Sequence, residues 1–141
     1  MRMRSRRCIQ VALAVIERRG RVLICLRRRN DVLGGRWEFP GGKRVPGETW
    51  RSCLRRELRE ELGIAVGALK PFVQMRHRYG RTMVTFQVFR CALKRGRPRP
   101  LQAERLRWVI ASRLPAFRFP PANRPLIRQL AAERGAAQPR S

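Results

Sequence analysis

Between residues 42 and 64 the chain reads GKRVPGETWRSCLRRELREELGI, and this segment carries the most specific information in the sequence. It holds four of the nine carboxylate residues in a protein whose formal net charge is +25. Three of them, Glu57, Glu60 and Glu61, are near neighbours on any helix, where like charges three or four residues apart repel by a few tenths of a kcal/mol per pair. A positive partner must therefore compensate this cluster.

The second half of the stretch carries signals for both ends of a helix. Thr49 is a residue type that caps a first turn, and Gly63 suits a left-handed helix end, so we predict a helix from Trp50 to Leu62. At 100° per residue one face collects the apolar residues Trp50, Cys53, Leu54, Leu58 and Leu62. Glu57 and Glu61 fall within this face, so we expect both to point inward.

Carboxylates beside leucines either take a raised pKa or find a cation. Hard oxygen ligands favour Mg²⁺ or Mn²⁺, and magnesium usually shares its coordination shell with waters and substrate phosphates. This ligand type therefore indicates a phosphate ester or anhydride as substrate. The alternative is a solvated helix whose glutamates pair with Arg55, Arg56 and Arg59.

The wider spacing is more specific than the cluster. Gly42 is followed after five residues by Glu48, and after seven more by Arg-Glu-Leu-x-Glu-Glu-x-Gly-Ile, residues 56–64. This pattern resembles the signature of the Nudix hydrolases, which cleave nucleoside diphosphates linked to another moiety. It resembles the MutT-like members most, because WEFPG precedes it at 37–41 and FPPANRP follows at 119–125. The resemblance covers about residues 8 to 132.

The resemblance implies a set of site residues around a divalent cation, Mg²⁺ or Mn²⁺. It implies cation ligation by Glu57, Glu60 and Glu61, a backbone contribution from Gly42, and a positioning role for Glu48 and Arg56, which hold the loop-helix-loop and its glutamates in place. Arg56 has the alternative of an ordinary surface pair with Glu60. No Ser-His-Asp set or activated cysteine is evident, so we expect the nucleophile to be water.

MutT-like enzymes hydrolyse nucleoside triphosphates, notably 8-oxo-dGTP, to the monophosphate and pyrophosphate by water attack at the β-phosphorus. Asn123 stands where that family places the asparagine that reads the oxidised guanine; the alternative is a first-turn helix residue. Phe39 is either the floor of the nucleobase pocket or a core aromatic. Arg27 and Arg81 are candidates for nucleotide contacts, unless they are bystanders among many arginines.

One position departs from the family pattern. Many MutT-like chains have a glutamate six residues before the tryptophan of the final strand, where it assists metal binding or deprotonates the water. Counted back from Trp108, that position is Gln102, and glutamine cannot act as a base. Either Glu104 substitutes after a loop shift, or a helix glutamate takes the role.

The rest of the chain predicts a mixed α/β (α+β) domain. Pattern predicts strands at 9–16, 22–26, 37–39, 69–75, 83–93 and 107–110, a polar loop at 27–36 and a helix from Pro121 to Glu133. The basic segment 94–100 is expected to be a solvated connector, with a binding role as the alternative. The first two strands should form a hairpin. Pattern alone gives α+β, whereas the resemblance implies the Nudix α/β/α sandwich with a mixed central sheet and a loop-helix-loop.

At 141 residues the chain fits one domain. We divide it into a basic arm (1–7), a Nudix hydrolase domain (8–134) and a flexible tail (135–141). The four cysteines show no CxxC pair and His77 is the single histidine, so we expect buried free thiols rather than a zinc site.

Thirty-four residues are Lys or Arg and all but three of these are Arg, a bias that a GC-rich genome produces by itself. The positive field would still attract polyphosphates and, weakly and nonspecifically, nucleic acid. The apolar run at 9–16 is too short for a signal peptide, and Glu17-Arg18-Arg19 follows it instead of a cleavage site. No stretch reaches the length of a membrane span, so we expect a cytoplasmic protein.

The leading hypothesis is a Mg²⁺-dependent hydrolase of 8-oxo-dGTP or another damaged nucleoside triphosphate, acting in nucleotide-pool sanitation. One alternative is removal of pyrophosphate from RNA 5′ ends. Another is a catalytically weakened module that binds nucleotides or nucleic acid, for which Gln102 is the argument. The sequence leaves open whether the protein is a monomer or a dimer.

Overall fold

The computed structural model describes residues 7–31 and 34–136, with side chains as far as Glu133. The first strand begins at Arg7 and the last helix ends at Ala136. Most of the predicted arm (1–7) and tail (135–141) lies outside the described residues. Within the described ranges no helix is both long enough and apolar enough to cross a membrane.

A mixed sheet of eight strands carries one α-helix on each face. The strands are β1 (Arg7–Arg18), β2 (Arg21–Leu26), β3 (Trp37–Glu38), β4 (Gly41–Lys43), β5 (Ala65–Val66), β6 (Lys70–Tyr79), β7 (Thr82–Arg95) and β8 (Arg105–Ile110). The helices are α1 (Trp50–Leu62) and α2 (Arg124–Ala136), with 3₁₀ turns at Ala111–Ala116 and Pro121–Asn123.

β1 is the central strand. It runs parallel to β7 from the pair Arg7 and Thr82 to the pair Glu17 and Ala92. All other strand pairs are antiparallel: β4 and β2 pair with β1, β3 and β8 pair with β2, and β5 and β6 pair with β7. The mixed sheet of the predicted α/β/α sandwich is therefore confirmed.

Alternate residues of β1 enter two separate cores, as the two-residue period of a strand requires. Ala12, Ala14 and Ile16 pack with the leucines of α1. Leu13 and Val15 pack on the opposite face with the apolar residues Leu126, Ile127 and Leu130 of α2. The two helices thus share one strand as their common support.

The predicted helix α1 is confirmed at both ends. Thr49 accepts a hydrogen bond from the Ser52 amide (3.0 Å), and Gly63 adopts φ 68° while donating to the Arg59 carbonyl (3.0 Å). Gly63 is needed there because an L side chain rarely takes that conformation. Cys53, Leu54, Leu58 and Leu62 are buried, while Trp50 is only partly buried.

The basic connector does more than join two strands. The amides of Arg99 and Leu101 donate to the carbonyls of Leu62 (3.0 Å) and Glu61 (3.1 Å). The last carbonyls of a helix lack partners within the helix, so this loop completes the C-terminal end of α1. The expectation of a merely solvated connector was too narrow.

Two further expectations need correction. The α-helix predicted from Pro121 begins at Arg124, whose amide closes a 3₁₀ bond to the Pro121 carbonyl; Pro125 has no N–H with which to make the α-helical bond to that carbonyl. Cys25, Cys53 and Cys91 are buried free thiols as expected, but Cys8 is exposed because β1 extends beyond the core. The 3₁₀ turn at Ala111–Ala116 was not predicted.

Candidate active site

Arg56 on α1 is the centre of the ion-pair network around the acidic cluster. Its guanidinium donates twice to Glu48 (Nε to Oε2 2.5 Å, Nη2 to Oε1 3.0 Å) and also to the carboxylates of Glu57 (3.0 Å) and Glu60 (3.3 Å). It reaches the Lys43 carbonyl as well (3.2 Å). The pair with Glu60 considered as the alternative is present, but Arg56 also joins the loop before α1 to the helix.

Glu48 fixes that loop. One carboxylate oxygen accepts the Val45 amide (3.0 Å) while both oxygens accept from Arg56. The Arg56 hydrogen bonds lower the pKa of Glu48 to about 2, and Glu48 in turn raises the pKa of Arg56. Glu48 is therefore an ionised anchor at neutral pH.

Glu61 is the carboxylate in the least solvated position of the cluster. Burial raises its pKa to about 8, and the nearby charges of Glu38 and Glu57 act in the same direction. The Gly41 amide donates to Glu61 Oε1 (3.1 Å), which opposes this rise. Burial therefore favours the protonated form of Glu61 when no cation is bound, and a positive partner would favour its ionisation.

Glu57 packs against the backbone of Gly42. A Cβ atom at position 42 would overlap all three atoms of the Glu57 carboxylate, so glycine is needed for this close approach. Burial raises the pKa of Glu57 despite its hydrogen bond from Arg56. Glu57 and Glu61 thus both point inward, as the helical pattern predicted.

Glu60 differs from the other two helix glutamates. Its side chain is 49% exposed and pairs with Arg56. In the part of the chain that the structure describes, no three His, Cys, Asp or Glu side chains converge closely enough to hold a metal ion. Glu57 and Glu61 nevertheless fit a hard cation, because both carboxylates point inward and burial raises the pKa of each. Glu60 would join them only after leaving Arg56.

A cavity of about 250 Å³ extends from Glu61 along the sheet. Its lining includes Gly41, Gly42 and Glu61 of the acidic cluster as well as Phe39, Pro120 and Asn123. Phe39 is buried and stacks on Phe119, with ring centroids 5.2 Å apart. The cavity therefore joins the acidic cluster to an apolar, aromatic compartment, an arrangement typical of small-molecule sites.

Asn123 is a buried polar residue, with 6% of its surface exposed. Its backbone amide donates to the Pro120 carbonyl (3.0 Å), which fixes the turn before α2. The side-chain amide makes no hydrogen bond to any residue within 7–31 and 34–133, yet none of its polar atoms is sealed from solvent. Its hydrogen-bonding groups are therefore available to a ligand in the cavity.

Arg27 and Glu38 also line this cavity. They form an ion pair of 3.0 Å, with each side chain 31% exposed. Burial raises the pKa of Glu38. Sequence reasoning missed Glu38 as a site residue, although its place in the WEFPG segment next to Phe39 was a usable signal.

The remaining predicted residues lie around the rim. Arg81 is exposed in the β6–β7 turn and does not line the cavity. Gln102 lies with Glu38 and Glu61 around a small adjoining cavity, which Glu104 does not line. The Glu104 side chain is exposed, and its backbone amide donates to the Leu26 carbonyl (2.9 Å). Substitution for Gln102 by Glu104 would thus require the loop to move.

Comparison with known proteins gives consistent results. The NUDIX domain family model matches residues 11–129. A Mycobacterium tuberculosis protein with the provisional name 8-oxo-dGTP diphosphatase 2 is 39% identical over 126 residues, which cover 86% of either chain. The 8-oxo-dGTP diphosphatase of Haemophilus influenzae is 32% identical over 130 residues, covering 92% of this chain and 96% of that one.

A solved structure extends the comparison to the fold. The solution structure of the Escherichia coli ORF135 protein superposes with a TM-score of 0.83 and 30% identity, and the match covers 96% of each chain. The matched family model, the two relatives and this fold give the same assignment. The chain therefore belongs to the Nudix hydrolase family.

Proposed function

We propose that this protein hydrolyses 8-oxo-dGTP, or a closely related damaged nucleoside triphosphate, to the monophosphate and pyrophosphate in the presence of Mg²⁺ or Mn²⁺. The observation that carries the proposal is the single cavity that Glu61 shares with Phe39 and Asn123. A triphosphate at the acidic end and a nucleobase at the aromatic end would fill both compartments together. The names of the full-length relatives support the choice of substrate.

Each compartment has a defined chemical task. The Asn123 amide offers one acceptor and two donors to the edge of a purine. Phe39 provides an apolar surface for the ring. A divalent cation, when bound at Glu57 and Glu61, supplies neutralisation of the polyphosphate charge. Arg56 and Glu48 hold the helix and the preceding loop in register, so that these groups remain aligned.

The proposed reaction is a displacement at phosphorus. The water oxygen bonds to the β-phosphorus as the bond from that phosphorus to the α–β bridging oxygen breaks, which gives the monophosphate and pyrophosphate. The water proton passes to one of the two inward helix glutamates, Glu57 or Glu61, because Gln102 cannot accept it. Ionisation of these buried carboxylates is a precondition for accepting the proton.

The direct test is pyrophosphate release under Mg²⁺ from 8-oxo-dGTP, dGTP, the pyrimidine triphosphates and a 5′-triphosphorylated oligonucleotide. We expect the highest kcat/KM with 8-oxo-dGTP, and no turnover without metal or in Glu57→Gln and Glu61→Gln. Full activity in either variant would refute the assignment of the inward glutamates. A faster reaction with the oligonucleotide would favour RNA 5′-end processing, and no turnover of any triphosphate would favour a binding module.

Asn123→Ala tests the nucleobase contact separately. We expect the ratio of kcat/KM for 8-oxo-dGTP over dGTP to fall by about tenfold or more, since a site that hydrogen-bonds its substrate discriminates through those bonds. Gln129→Ala, an exposed amide on α2, is the matched control and should leave the ratio unchanged. An unchanged ratio in Asn123→Ala would exclude nucleobase reading by this residue. Glu104→Gln with unchanged kcat would dismiss Glu104 as a replacement base.

A further inference from the structure

Tyr79, the single tyrosine of the chain, ends β6 at the tip of the β6–β7 hairpin. It pairs with Thr82 across the two-residue turn Gly80–Arg81, in which Gly80 has φ 59°. Two-residue turns with a positive φ match the twist of their strands and give a well-defined hairpin end. The position of Tyr79 is therefore set by the strand pairing rather than by a long loop.

The register places the Tyr79 side chain on the cavity side of the sheet. Residues two apart on a strand face the same way, and directly paired residues share a face. Met75 and its partner Phe86 pack in the core beneath α2, and Phe86 also lines the cavity. Tyr79 is four residues beyond Met75 on the same face, and it too lines the cavity.

Tyr79 lines the cavity and is also open to solvent. It is 41% exposed, so part of a large aromatic surface is available for contact. Its other side is in contact with protein: the His77 ring centroid lies 4.6 Å from its own, and burial raises the pKa of its phenol. One face of the ring is thus supported while the remainder is free for a ligand.

No structural role within the described residues accounts for the hydroxyl or for the exposed part of the ring. The hydroxyl makes no hydrogen bond to any described residue. The hairpin itself is held by backbone pairing along β6 and β7 and by the glycine of the turn. Phe39 provides a buried aromatic surface inside the same cavity, so Tyr79 adds a second, outer aromatic group around one ligand space.

We propose that Tyr79 is a specificity-determining residue that covers the outer part of a bound nucleobase, whose edge contacts Asn123, and that it favours purine over pyrimidine triphosphates. This inference rests on the proposed function. Aromatic side chains stack on any nucleobase, and a purine offers the larger surface. The contribution is made to nucleobase binding and not to the reacting phosphates, so it affects KM more than kcat.

The single tyrosine permits a direct binding measurement. Protein that contains 3-fluorotyrosine should give one ¹⁹F resonance, from position 79. We expect this resonance to shift on titration with 8-oxo-dGMP and Mg²⁺, and to stay in place with pyrophosphate and Mg²⁺. An unmoved resonance at nucleotide concentrations that calorimetry shows to be saturating would overturn the inference.

Kinetic variants provide the second measurement. For Tyr79→Ala we expect KM for 8-oxo-dGTP to rise about tenfold with kcat within about twofold, and the purine preference over CTP to fall. Tyr79→Phe should behave as wild type, because the hydroxyl has no described partner. Leu101→Ala is the matched control, since Leu101 is 42% exposed but lies off the cavity.

The outcomes separate this inference from the proposed function. Wild-type protein that hydrolyses no triphosphate but shows the ¹⁹F shift with nucleotide would refute the catalytic proposal and retain the contact with Tyr79. Active wild-type protein with an unchanged KM in Tyr79→Ala would refute only the role of Tyr79. If kcat falls in Tyr79→Ala and falls in Tyr79→Phe as well, the cause is damage to the hairpin. That result would also overturn the proposed role of Tyr79 in nucleobase binding.

Discussion

Glu61→Gln should stabilise the metal-free protein at alkaline pH. Glutamine keeps the shape of the side chain, and its carbonyl oxygen can still accept the Gly41 amide, but it carries no charge. The folded pKa of Glu61 is raised from 4.5 to about 8. Its favourable contribution to stability is therefore complete below about pH 4.5 and is lost as pH rises through the folded pKa.

The size of the effect follows from the interval between the two pKa values. At about 1.36 kcal/mol for each unit of pKa difference, the interval from 4.5 to about 8 corresponds to an upper limit of roughly 5 kcal/mol above pH 8. At pH 5 less than about 1 kcal/mol is lost. The variant should thus equal wild type near pH 5 and exceed it by a few kcal/mol at pH 9.

Urea unfolding in EDTA at pH 5, 7 and 9 measures this difference, because the midpoint and slope give the free energy of unfolding. Glu60→Gln is the control on the same helix; its exposed side chain should change stability by no more than about 0.5 kcal/mol at each pH. Adding Mg²⁺ should stabilise wild type and not Glu61→Gln. Parallel pH profiles for wild type and Glu61→Gln in EDTA would refute the reasoning.

Gly42→Ala should displace the flexible Glu57 carboxylate and reduce metal-dependent turnover by at least about tenfold, with little loss of stability. Gly41→Ala should instead unfold the protein, because Gly41 has φ 149° and an added Cβ would overlap the β1 backbone. Circular dichroism and pyrophosphate release distinguish the two variants, and a stably folded Gly41→Ala would contradict the second prediction. Arg90→Met should lower the free energy of unfolding by about 1–2 kcal/mol, because the partly exposed Arg90 pairs at 2.5 Å with Glu17 on β1 and with Glu133 on α2. Thermal unfolding measures this change, and a loss below about 0.5 kcal/mol would argue against a stabilising role for the two ion pairs. Glu48→Gln should be less stable than wild type at pH 7 and equal to it near pH 2. The pKa of Glu48 is lowered from 4.5 to about 2 in the folded protein, so its carboxylate stabilises the fold above pH 4.5 and loses this effect as pH falls to about 2. Measuring the unfolding midpoint as a function of pH tests this prediction.

The part of the fold that depends on local sequence could be predicted well. α1 begins and ends where Thr49 and Gly63 indicated, because both caps are local hydrogen-bond geometries. The inward direction of Glu57 and Glu61 followed from helical period alone. The roles assigned to these residues by resemblance stay predictions until metal and substrate are measured.

Features that depend on distant parts of the chain were not predictable in the same way. Glu38 lies near Glu61 although the two residues are on separate elements, β3 and α1, and no local pattern encodes that proximity. The connector that completes the end of α1 was predicted to be a solvated loop. Its contacts with the helix are made by backbone amides, which every residue except proline has, so the side-chain pattern does not reveal them. The exposure of Cys8 likewise reflects how far β1 extends beyond the core.

The parallel pairing of β1 with β7 also affects how the chain is made. Partners in this register are 75 residues apart, for example Arg7 and Thr82. At a synthesis rate of about 5–20 residues per second, roughly 4–15 s pass between the synthesis of β1 and the synthesis of its partner strand β7. During that interval an apolar strand edge is open to other nascent chains, so the yield of folded protein should depend on translation speed and chaperone supply as much as on final stability.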